Sequence, residues 1–279
     1  MKQNKEEIDR LCTEYKINNY TINEDDSIDV DGDVDLSLSS LHVLPLIFNK
    51  VSGFFDCSCN KLRSLEGCPR EVGNGFYCYS NKLTSLVGCP VKVIGSFDCD
   101  ENKVNSLIGC PDKISGNFIC SNNQLTSLKG CPREVWLAFK CNRNQLTSLE
   151  ESPGIVGGDF VCNDNKLSSL KGSPSIVGGD FVCHDNLLKS LFGSPSTVGG
   201  DFRCHRNSLS SLEGCPSEIG ELKHFRSNLL HYFYHTAYGH LGKDMVIFIK
   251  YMHHYEVYSP EFNEQNGLDL IAEIKDGLR

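Results

Sequence analysis

The sequence lacks the features expected of a membrane protein or a nucleic-acid-binding protein. No apolar run approaches the roughly 18 residues that a membrane-spanning helix needs. The first residues are polar, so we expect neither a signal peptide nor a membrane anchor, and we expect a cytoplasmic protein. The 27 lysine and arginine residues are outnumbered by 36 aspartate and glutamate residues, giving a formal charge of -9. This balance disfavours general binding to nucleic acid or anionic lipid, which both need clustered positive charge.

Motifs of common catalytic and metal centres are also missing. No C-x-x-C pair, no H-E-x-x-H motif, no glycine-rich phosphate loop and no nucleophile with an assembled base occurs. Fifteen cysteines are present, but they stand at repeated positions and come without a secretory signal. This usage favours free thiols in a reducing cytoplasm over a disulfide scaffold. The sequence therefore predicts a protein that is not an enzyme and has no cofactor or metal.

One period of 21 residues organises most of the chain. A phenylalanine precedes each repeated cysteine by two positions, so both side chains point to one side of an extended segment. An asparagine follows three positions after the cysteine, and leucines follow at five and eight positions, with Val104 as one exception. The cysteine column is Cys57, Cys78, Cys99, Cys120, Cys141, Cys162, Cys183 and Cys204, and the asparagine column is Asn60, Asn81, Asn102, Asn123, Asn144, Asn165, Asn186 and Asn207.

This repeating unit predicts a solenoid. The unit F-x-C-x-x-N-x-L-x-S-L-x-G-x-P-x-x-V matches the core of the leucine-rich-repeat pattern, L-x-L-x-x-N-x-L, with Phe and Cys at two leucine positions. We predict about ten turns, each adding one short parallel Phe-x-Cys strand to a concave β-sheet. A proline in every period excludes helix on the return path, so the convex side is expected to be non-helical. The apolar residue four places before each phenylalanine, such as Val51, Val72 and Val93, departs from the general pattern, which has it three places before.

Short helical caps are expected at both ends of the solenoid. Apolar residues recur at helical spacing in three segments: Ile8, Leu11, Cys12 and Tyr15; Met245, Phe248, Ile249, Met252 and Tyr255; and Leu268, Ile271 and Ile274. Residues 20–22 and 28–30 flank a turn-rich stretch and predict a hairpin that leads into the sheet. We therefore divide the chain into an N-terminal cap at 1–33, a solenoid at 34–230 and a helical C-terminal cap at 231–279.

With these columns and caps in view, the sequence resembles the 21-residue, Cys- and Asn-rich leucine-rich-repeat proteins of large tailed bacteriophages and some bacteria. The resemblance covers roughly residues 20 to 230. It implies a leucine-rich-repeat fold, a phage or bacterial source and a role in protein–protein interaction, and it names no partner. A bacterial effector ubiquitin ligase joins similar repeats to a large catalytic domain, but the residues after Leu230 are too few for such a domain and contain no cysteine.

The exposed side of the predicted sheet is the candidate binding site. The residues on either side of each strand cysteine, and the residue after them, face away from the core because side chains alternate along a strand. We call these three columns the strand face. It changes at every turn while the buried columns stay constant. Tyr77 and Tyr79 are the first anchor candidates, and Arg203 and Arg206 the second. The candidate partner-binding residues are Asp56, Tyr77, Tyr79, Asp98, Asp100, Ile119, Lys140, Asn142, Arg143, Val161, Asn163, Val182, His184, Arg203, His205 and Arg206.

The sequence therefore favours a cytoplasmic protein-binding module. The resemblance implies only a phage or bacterial source, and our hypothesis is a phage product that binds a host protein, such as a defence protein, through the concave face and inhibits or redirects it. Two alternatives stay open. His184 and His205 occupy one column on adjacent turns, beside Asp164 and Asp185, so a metal-binding protein or metal-dependent enzyme is the first. The second is a structural protein whose sheet contacts another copy of itself. The sequence does not fix the oligomeric state.

Overall fold

Successive turns of the chain are joined by two ladders of short parallel strands. The structure is a computed structural model that describes residues 4–209, 214–216, 218–221, 251 and 264–278. The Phe-x-Cys segments form one ladder, which we call the Phe ladder. The second ladder, which we call the Val ladder, contains the apolar residue four positions before each phenylalanine, most often valine. The return path is thus extended, as its prolines predict, and it is also ordered into strands.

A helix and a hairpin open the chain. Helix α1 (Lys5–Glu14) begins at Asn4, whose side-chain oxygen accepts the Glu7 N–H at 2.9 Å, and it buries Ile8, Leu11 and Cys12. The hairpin consists of β1 (Tyr20–Ile22) and β2 (Ile28–Val30), paired antiparallel, as the sequence predicts. Strand β2 then pairs in parallel with the first full strand of the Val ladder. The hairpin therefore leads into the Val ladder and not into the Phe ladder.

The chain divides into two compact units, which are Met1–Gln145 with Glu151–Pro153 and Leu146–Glu150 with Gly154–Arg279. In the first unit the Phe ladder consists of β3 (Val34–Asp35), β5 (Phe55–Asp56), β7 (Phe76–Tyr77), β9 (Phe97–Asp98), β11 (Phe118–Ile119) and β13 (Phe139–Lys140). Its Val ladder contains β2, β4 (Phe48–Val51), β6 (Glu71–Val72), β8 (Lys92–Val93), and the pair β10 (Lys113–Ile114) and β12 (Glu134–Val135).

The second unit repeats the two ladders and ends in a helix. Its Phe ladder contains β15 (Phe160–Val161), β17 (Phe181–Val182) and β18 (Thr197–Arg203), and its Val ladder contains β14 (Ile155–Val156), β16 (Ile176–Val177), β18 and β19 (Glu218–Glu221). Helix α2 (Glu264–Lys275) lies at the C-terminal end. It buries Leu270, Ile271 and Ile274, whereas the expected core residue Leu268 is 39% exposed. Among the described residues, no helix has both the length and the apolar character to cross a membrane.

Two predicted features fall outside the described residues. They are the helical stripe from Met245 to Tyr255 and the last repeat positions at Phe225, Asn228 and Leu230. The boundaries at 33/34 and 230/231 stay predictions. The repeat architecture itself is confirmed by the strands, since within each unit the Phe-x-Cys segments pair in parallel register at 21-residue steps, as in Phe55 opposite Phe76 and Phe160 opposite Phe181.

The interior of each turn is filled by the same few side chains. In each unit the phenylalanines of successive turns lie in a row, with ring centroids 5.3–5.9 Å apart in the first unit and 5.3–5.6 Å apart in the second. The strand cysteines and the described residues of both leucine columns are fully buried beside them. Each aromatic pair contributes about 0.5–1.5 kcal/mol beyond the burial of its area. The core is therefore a repeated contact rather than one central cluster, as stacking repeats require.

The cysteines are part of this core. All 15 are free thiols, and the eight in the strand column are fully buried. Burial raises the pKa of the thiols of Cys89, Cys131 and Cys215, which stand just before prolines, to about 12. Burial likewise holds the pKa of strand cysteines such as Cys120 well above the ordinary range. Because the thiolate is the reactive form, these cysteines act as small buried apolar groups.

Asparagine side chains tie each turn to its neighbours. The Asn123 amide nitrogen donates to the carbonyl oxygens of Cys99 at 3.0 Å, Cys120 at 3.3 Å and Ser121 at 2.9 Å. Its side-chain oxygen accepts the backbone N–H of Val104 at 2.8 Å. One buried amide thus satisfies backbone groups in two turns, where the chain leaves the strand and the ladder cannot supply partners. The asparagine column repeats this arrangement, and we call it the Asn ladder.

Replacing Asn123 by alanine is expected to lower the free energy of unfolding by about 3 kcal/mol, because it leaves buried backbone groups without partners. Urea unfolding followed by circular dichroism measures the change. Asn105 is exposed and directly follows Val104, whose N–H the Asn123 side chain accepts, so Asn105→Ala is a suitable control. The control is expected to change the value by less than about 0.5 kcal/mol. Equal unfolding curves for the two variants would show that the Asn ladder is dispensable.

Candidate functional site

The strand face of the first unit carries an acidic and aromatic cluster. In parallel register its first column reads Asp35, Asp56, Tyr77, Asp98, Ile119 and Lys140. The next two columns add Tyr79, Asp100 and Glu101 at the same height. We call Asp56, Tyr77, Tyr79, Asp98, Asp100 and Glu101 the acidic patch. Each of these side chains is at least partly exposed, so the sequence-predicted residues do lie together on one accessible surface.

The Tyr77 ring is held in place by its surroundings. Its centroid lies 6.4 Å from that of Phe54 at an interplanar angle of 60°. A methyl group added at Gly75 would come within 2.3 Å of the Tyr77 hydroxyl oxygen, so the ring lies directly against this glycine. Neither neighbour of Tyr77 is evident from the sequence. The one signal is that the position before the strand phenylalanine is glycine in this turn, whereas the next two turns carry Ser96 and Asn117 there. A restrained tyrosine loses little entropy on binding, which suits an anchor residue.

The carboxylates of the acidic patch are held by hydrogen bonds but not by cations. Asp56 accepts the Ser58 N–H at 2.8 Å, and Asp98 accepts the Asp100 N–H at 2.9 Å. Glu101 accepts the Ser80 hydroxyl at 2.6 Å. Within the described residues, none of the patch carboxylates forms an ion pair. The patch therefore presents concentrated negative charge that no ion pair from the described residues neutralises.

Burial and neighbouring negative charges raise the pKa values of two residues of the patch. Burial raises the pKa of Asp98 to about 6, and the negative charges of Asp100 and Asp56 add to the effect, whereas Lys140 opposes it. Burial also raises the pKa of Tyr77, with further contributions from Asp56 and Asp98. A partner cation at this position would relieve the repulsion. Asp98 therefore holds a charge at neutral pH that the free protein pays for in stability.

The remaining predicted residues of the first unit continue the strand face with a different character. Ile119, Lys140 and Asn142 are partly exposed, and Arg143 is exposed. Asn142 accepts the Ser121 hydroxyl at 2.6 Å. Arg143 has a left-handed backbone with φ of 54°, and every turn repeats this conformation two residues after its strand cysteine. The third column of the strand face thus always points outward from a tight bend.

In the second unit the strand face is less open than the sequence suggests. Val161 is partly exposed, but Val182 and Asn163 are each only 8% exposed. Val182 lies in register between Val161 and the longer Arg203. The Asn163 amide donates to the Asp164 carboxylate beside it. As contact residues for a partner, Val182 and Asn163 therefore offer little surface.

Arg203 is engaged within its own unit. Its Nη2 lies 2.8 Å from an oxygen of both Asp180 and Asp201. The other oxygen of Asp180 accepts the Asp201 N–H, and Asp159 does the same for Asp180, so this aspartate column caps the bends between turns. The pairing holds the guanidinium in place, and its pKa is raised by the hydrogen bond to Asp201. Arg203 is therefore a less available anchor than its position on the strand face predicts, and Arg206 is the more exposed arginine.

His184 and His205 are brought together as their shared column predicts. Their ring centroids lie 4.2 Å apart with an interplanar angle of 18°. Asp185 lies beside them, with a carboxylate oxygen 2.6 Å from His184 Nδ1 and 3.5 Å from Arg206 Nη1. Asp164, which the sequence placed in the same group, is not part of this cluster of potential ligands. The two strand faces thus differ in chemistry, acidic and aromatic in one unit and rich in histidine in the other.

Comparisons with known proteins give only distant similarities, all to solved structures. A search against protein-family models finds no match, and a search of curated proteins finds none. Among solved structures, the chain is similar to YopM from Yersinia enterocolitica WA-314, with a TM-score of 0.37 and 14% sequence identity. The similarity covers 70% of this chain and 64% of that one, so this chain spans less than two thirds of its length. The surfaces described above therefore have to be interpreted from their own chemistry.

Replacing Asp98 by asparagine is expected to raise the free energy of unfolding at pH 7 by on the order of 1 kcal/mol, after allowance for solvent screening of a partly exposed group. The asparagine oxygen can still accept the Asp100 N–H. In the folded native protein the Asp98 carboxyl group keeps its proton up to about pH 6. The unfolded state releases it near pH 4, so the contribution of Asp98 to stability falls as pH rises between these values.

Urea unfolding at several pH values between 4 and 8 tests this. The stability difference between Asp98→Asn and the native protein is expected to grow from pH 4 to pH 6 and then to stay constant. Asp112→Asn, at an exposed carboxylate outside the strand face, serves as the control and is expected to show no such growth. A variant that is less stable than the native protein at pH 7 would contradict the account of Asp98.

Proposed function

We propose that this protein binds another protein through its strand face and acts as a recognition module without catalytic activity. The observation that carries the proposal is the acidic patch, where four carboxylates and two tyrosines share an exposed surface without a counter-ion from the described residues. Repulsion among these carboxylates lowers the stability of the free protein, and a bound basic group would relieve it. The partner is therefore expected to present lysine or arginine side chains to the acidic patch.

The repeat pattern supports a role for this surface beyond folding. Phenylalanine, cysteine, asparagine and leucine recur at every turn because they fill the core and join the turns. The residues of the strand face share the same strands and bends, but they differ from turn to turn. Folding does not require that variety, since the Asn ladder and the two strand ladders use backbone and buried groups. The strand face is thus free to be shaped by a particular partner.

The chemistry of the acidic patch fits a basic protein segment. Tyrosine faces attract ammonium and guanidinium groups, and Tyr77 and Tyr79 stand among carboxylates that strengthen the attraction. Asp98 must be ionised to contribute, so binding of a basic partner should strengthen as pH rises through about 6. The buried thiols do not supply a nucleophile, because burial disfavours the thiolate. These features together favour recognition over catalysis.

The resemblance to the phage repeat proteins supports a phage source and leaves the target open. We infer a phage product that acts in the host cytoplasm, where it binds a host defence protein and inhibits or redirects it. The free thiols suit a reducing compartment of this kind. A soluble binding protein with an acidic surface would find a basic partner rapidly, because opposite charges steer the encounter.

Neutralising the acidic patch is expected to abolish partner capture while the fold is kept. The variant Asp56→Asn/Asp98→Asn/Asp100→Asn removes three charges and preserves the acceptors of the local hydrogen bonds. Native and variant proteins are immobilised, exposed to lysate of a bacterial host, and the retained proteins are identified and quantified by mass spectrometry. Retention of the specific partner should fall at least about tenfold, equivalent to about 1.4 kcal/mol.

A charge-matched control separates this effect from general electrostatics. Glu24→Gln/Glu66→Gln/Asp112→Asn removes the same charge at exposed positions outside the strand face and should retain the partner at the native level. Gly75→Ala displaces the Tyr77 ring without removing any of its atoms, and it should also weaken capture. The proposal is wrong if no protein is specifically retained, or if the patch variant and its control retain the partner equally.

A further inference from the structure

Three potential metal ligands lie together on the strand face of the second unit. One ring nitrogen from each of His184 and His205 and one carboxylate oxygen of Asp185 all lie within 4.8 Å of one another. Within the described part of the chain this is the one group in which three histidine, cysteine or carboxylate ligands come so close. The chain has 15 cysteines, yet none of them belongs to the group.

The fold places these ligands on rigid backbone. His184 and His205 follow strands β17 and β18, which pair in parallel with Val182 opposite Arg203, so the imidazoles stack one turn apart. The Asn ladder fixes both histidine carbonyls, because Asn186 donates to that of His184 at 3.2 Å and Asn207 to that of His205 at 3.3 Å. The ligand atoms therefore start from fixed positions, which lowers the entropy cost of binding an ion.

Asp185 completes the group through the bend that every turn makes. Its φ of 52° is left-handed, and its N–H donates to the His205 carbonyl at 3.1 Å. This ties the residue to the same two turns that carry the imidazoles. Its side chain and that of His184 are 28% and 21% exposed, so an ion can reach them from solvent while much of the group stays shielded.

The donor types select the kind of ion. Two imidazoles and a carboxylate suit zinc and its neighbours among the divalent first-row transition metals, whereas magnesium and calcium prefer oxygen ligands alone. In a tetrahedral zinc site with bonds of about 2.0 Å, ligand atoms lie about 3.3 Å apart. The ligand atoms, at most 4.8 Å apart, would have to close to this spacing on binding. Three protein ligands would leave a further position open to water or to a group from a partner.

We propose that His184, Asp185 and His205 bind one divalent transition-metal ion, zinc in the first place. Arg206 modulates the site, because its guanidinium lies 3.5 Å from the same Asp185 oxygen that contacts His184. The Arg206 side chain is 73% exposed and can turn into solvent when the ion binds. The metal site is independent of the acidic patch, since its residues belong to the other unit.

The test is isothermal titration of the full chain, freed of metal by chelator and kept under reducing conditions. Zn²⁺, Co²⁺ and Ni²⁺ are titrated in air and Fe²⁺ without oxygen, with Mg²⁺ and Ca²⁺ as ions that should not bind. We expect one transition-metal ion per chain. His205→Ala should weaken binding by at least about 100-fold. Loss of a residue that only supports a metal ligand costs up to about 100-fold, and loss of a ligand itself should cost no less. Arg206→Ala should tighten binding by about fivefold, since it frees Asp185 from a competing cation.

Controls distinguish the site from adventitious binding. His42 is an exposed histidine of the other unit, and His42→Ala should bind as tightly as the native chain. Circular dichroism and thermal melting establish that each variant is folded, and the visible spectrum of bound Co²⁺ reports its coordination number directly. The proposal is overturned if no ion binds at a ratio of one per chain, if His184→Ala and His205→Ala bind like the native protein, or if His42→Ala loses binding to the same extent.

Discussion

The amide of one buried asparagine per turn is the interaction on which the rest of the structure depends. Each amide, as in Asn123, bonds three carbonyl oxygens and one N–H across neighbouring turns. The strands are only two residues long through most of the array, although backbone hydrogen bonds between turns continue beyond them, as from the Cys57 N–H to the Tyr77 carbonyl at 2.8 Å. The Asn ladder adds side-chain bonds between the same turns where the chain bends out of the sheet. The phenylalanine row packs behind this backbone.

Because the core and the Asn ladder use other residues, the residue types of the strand face can vary from turn to turn. The Asn ladder and the core use inward-pointing groups, while the three outward columns emerge from the same strands and bends. In the first unit these columns collect carboxylates around Tyr77, at a cost that shows in the raised pKa of Asp98. In the second unit they collect imidazoles beside Asp185. The same scaffold thus displays two surfaces with different ligand preferences, each carried by strands that pair in parallel with those of the neighbouring turns.

The sequence predicted the parts of the structure that depend on the period alone. The Phe ladder, the buried Cys and Leu columns, the hairpin and the stacked histidines all follow from fixed spacing. Details set by side-chain size at one turn were not predictable. The Val ladder was expected only as an extended path, because a two-residue strand has no periodicity of its own. The contact of Tyr77 with Gly75 and the engagement of Arg203 by two aspartates depend on contacts between turns, which spacing places nearby but does not specify.

Folding is expected to depend on the inward columns and not on the strand face. A saturation scan of residues 34–209 that measures the protease resistance of each variant separates the two sets of positions. We expect substitutions in the phenylalanine, asparagine and leucine columns to abolish resistance at most turns, and substitutions at the acidic patch and at His184 and His205 to leave it unchanged or raised. If substitutions on the strand face lower resistance as much as those in the asparagine column, its residues serve the fold, and the account of this surface as a binding site is wrong.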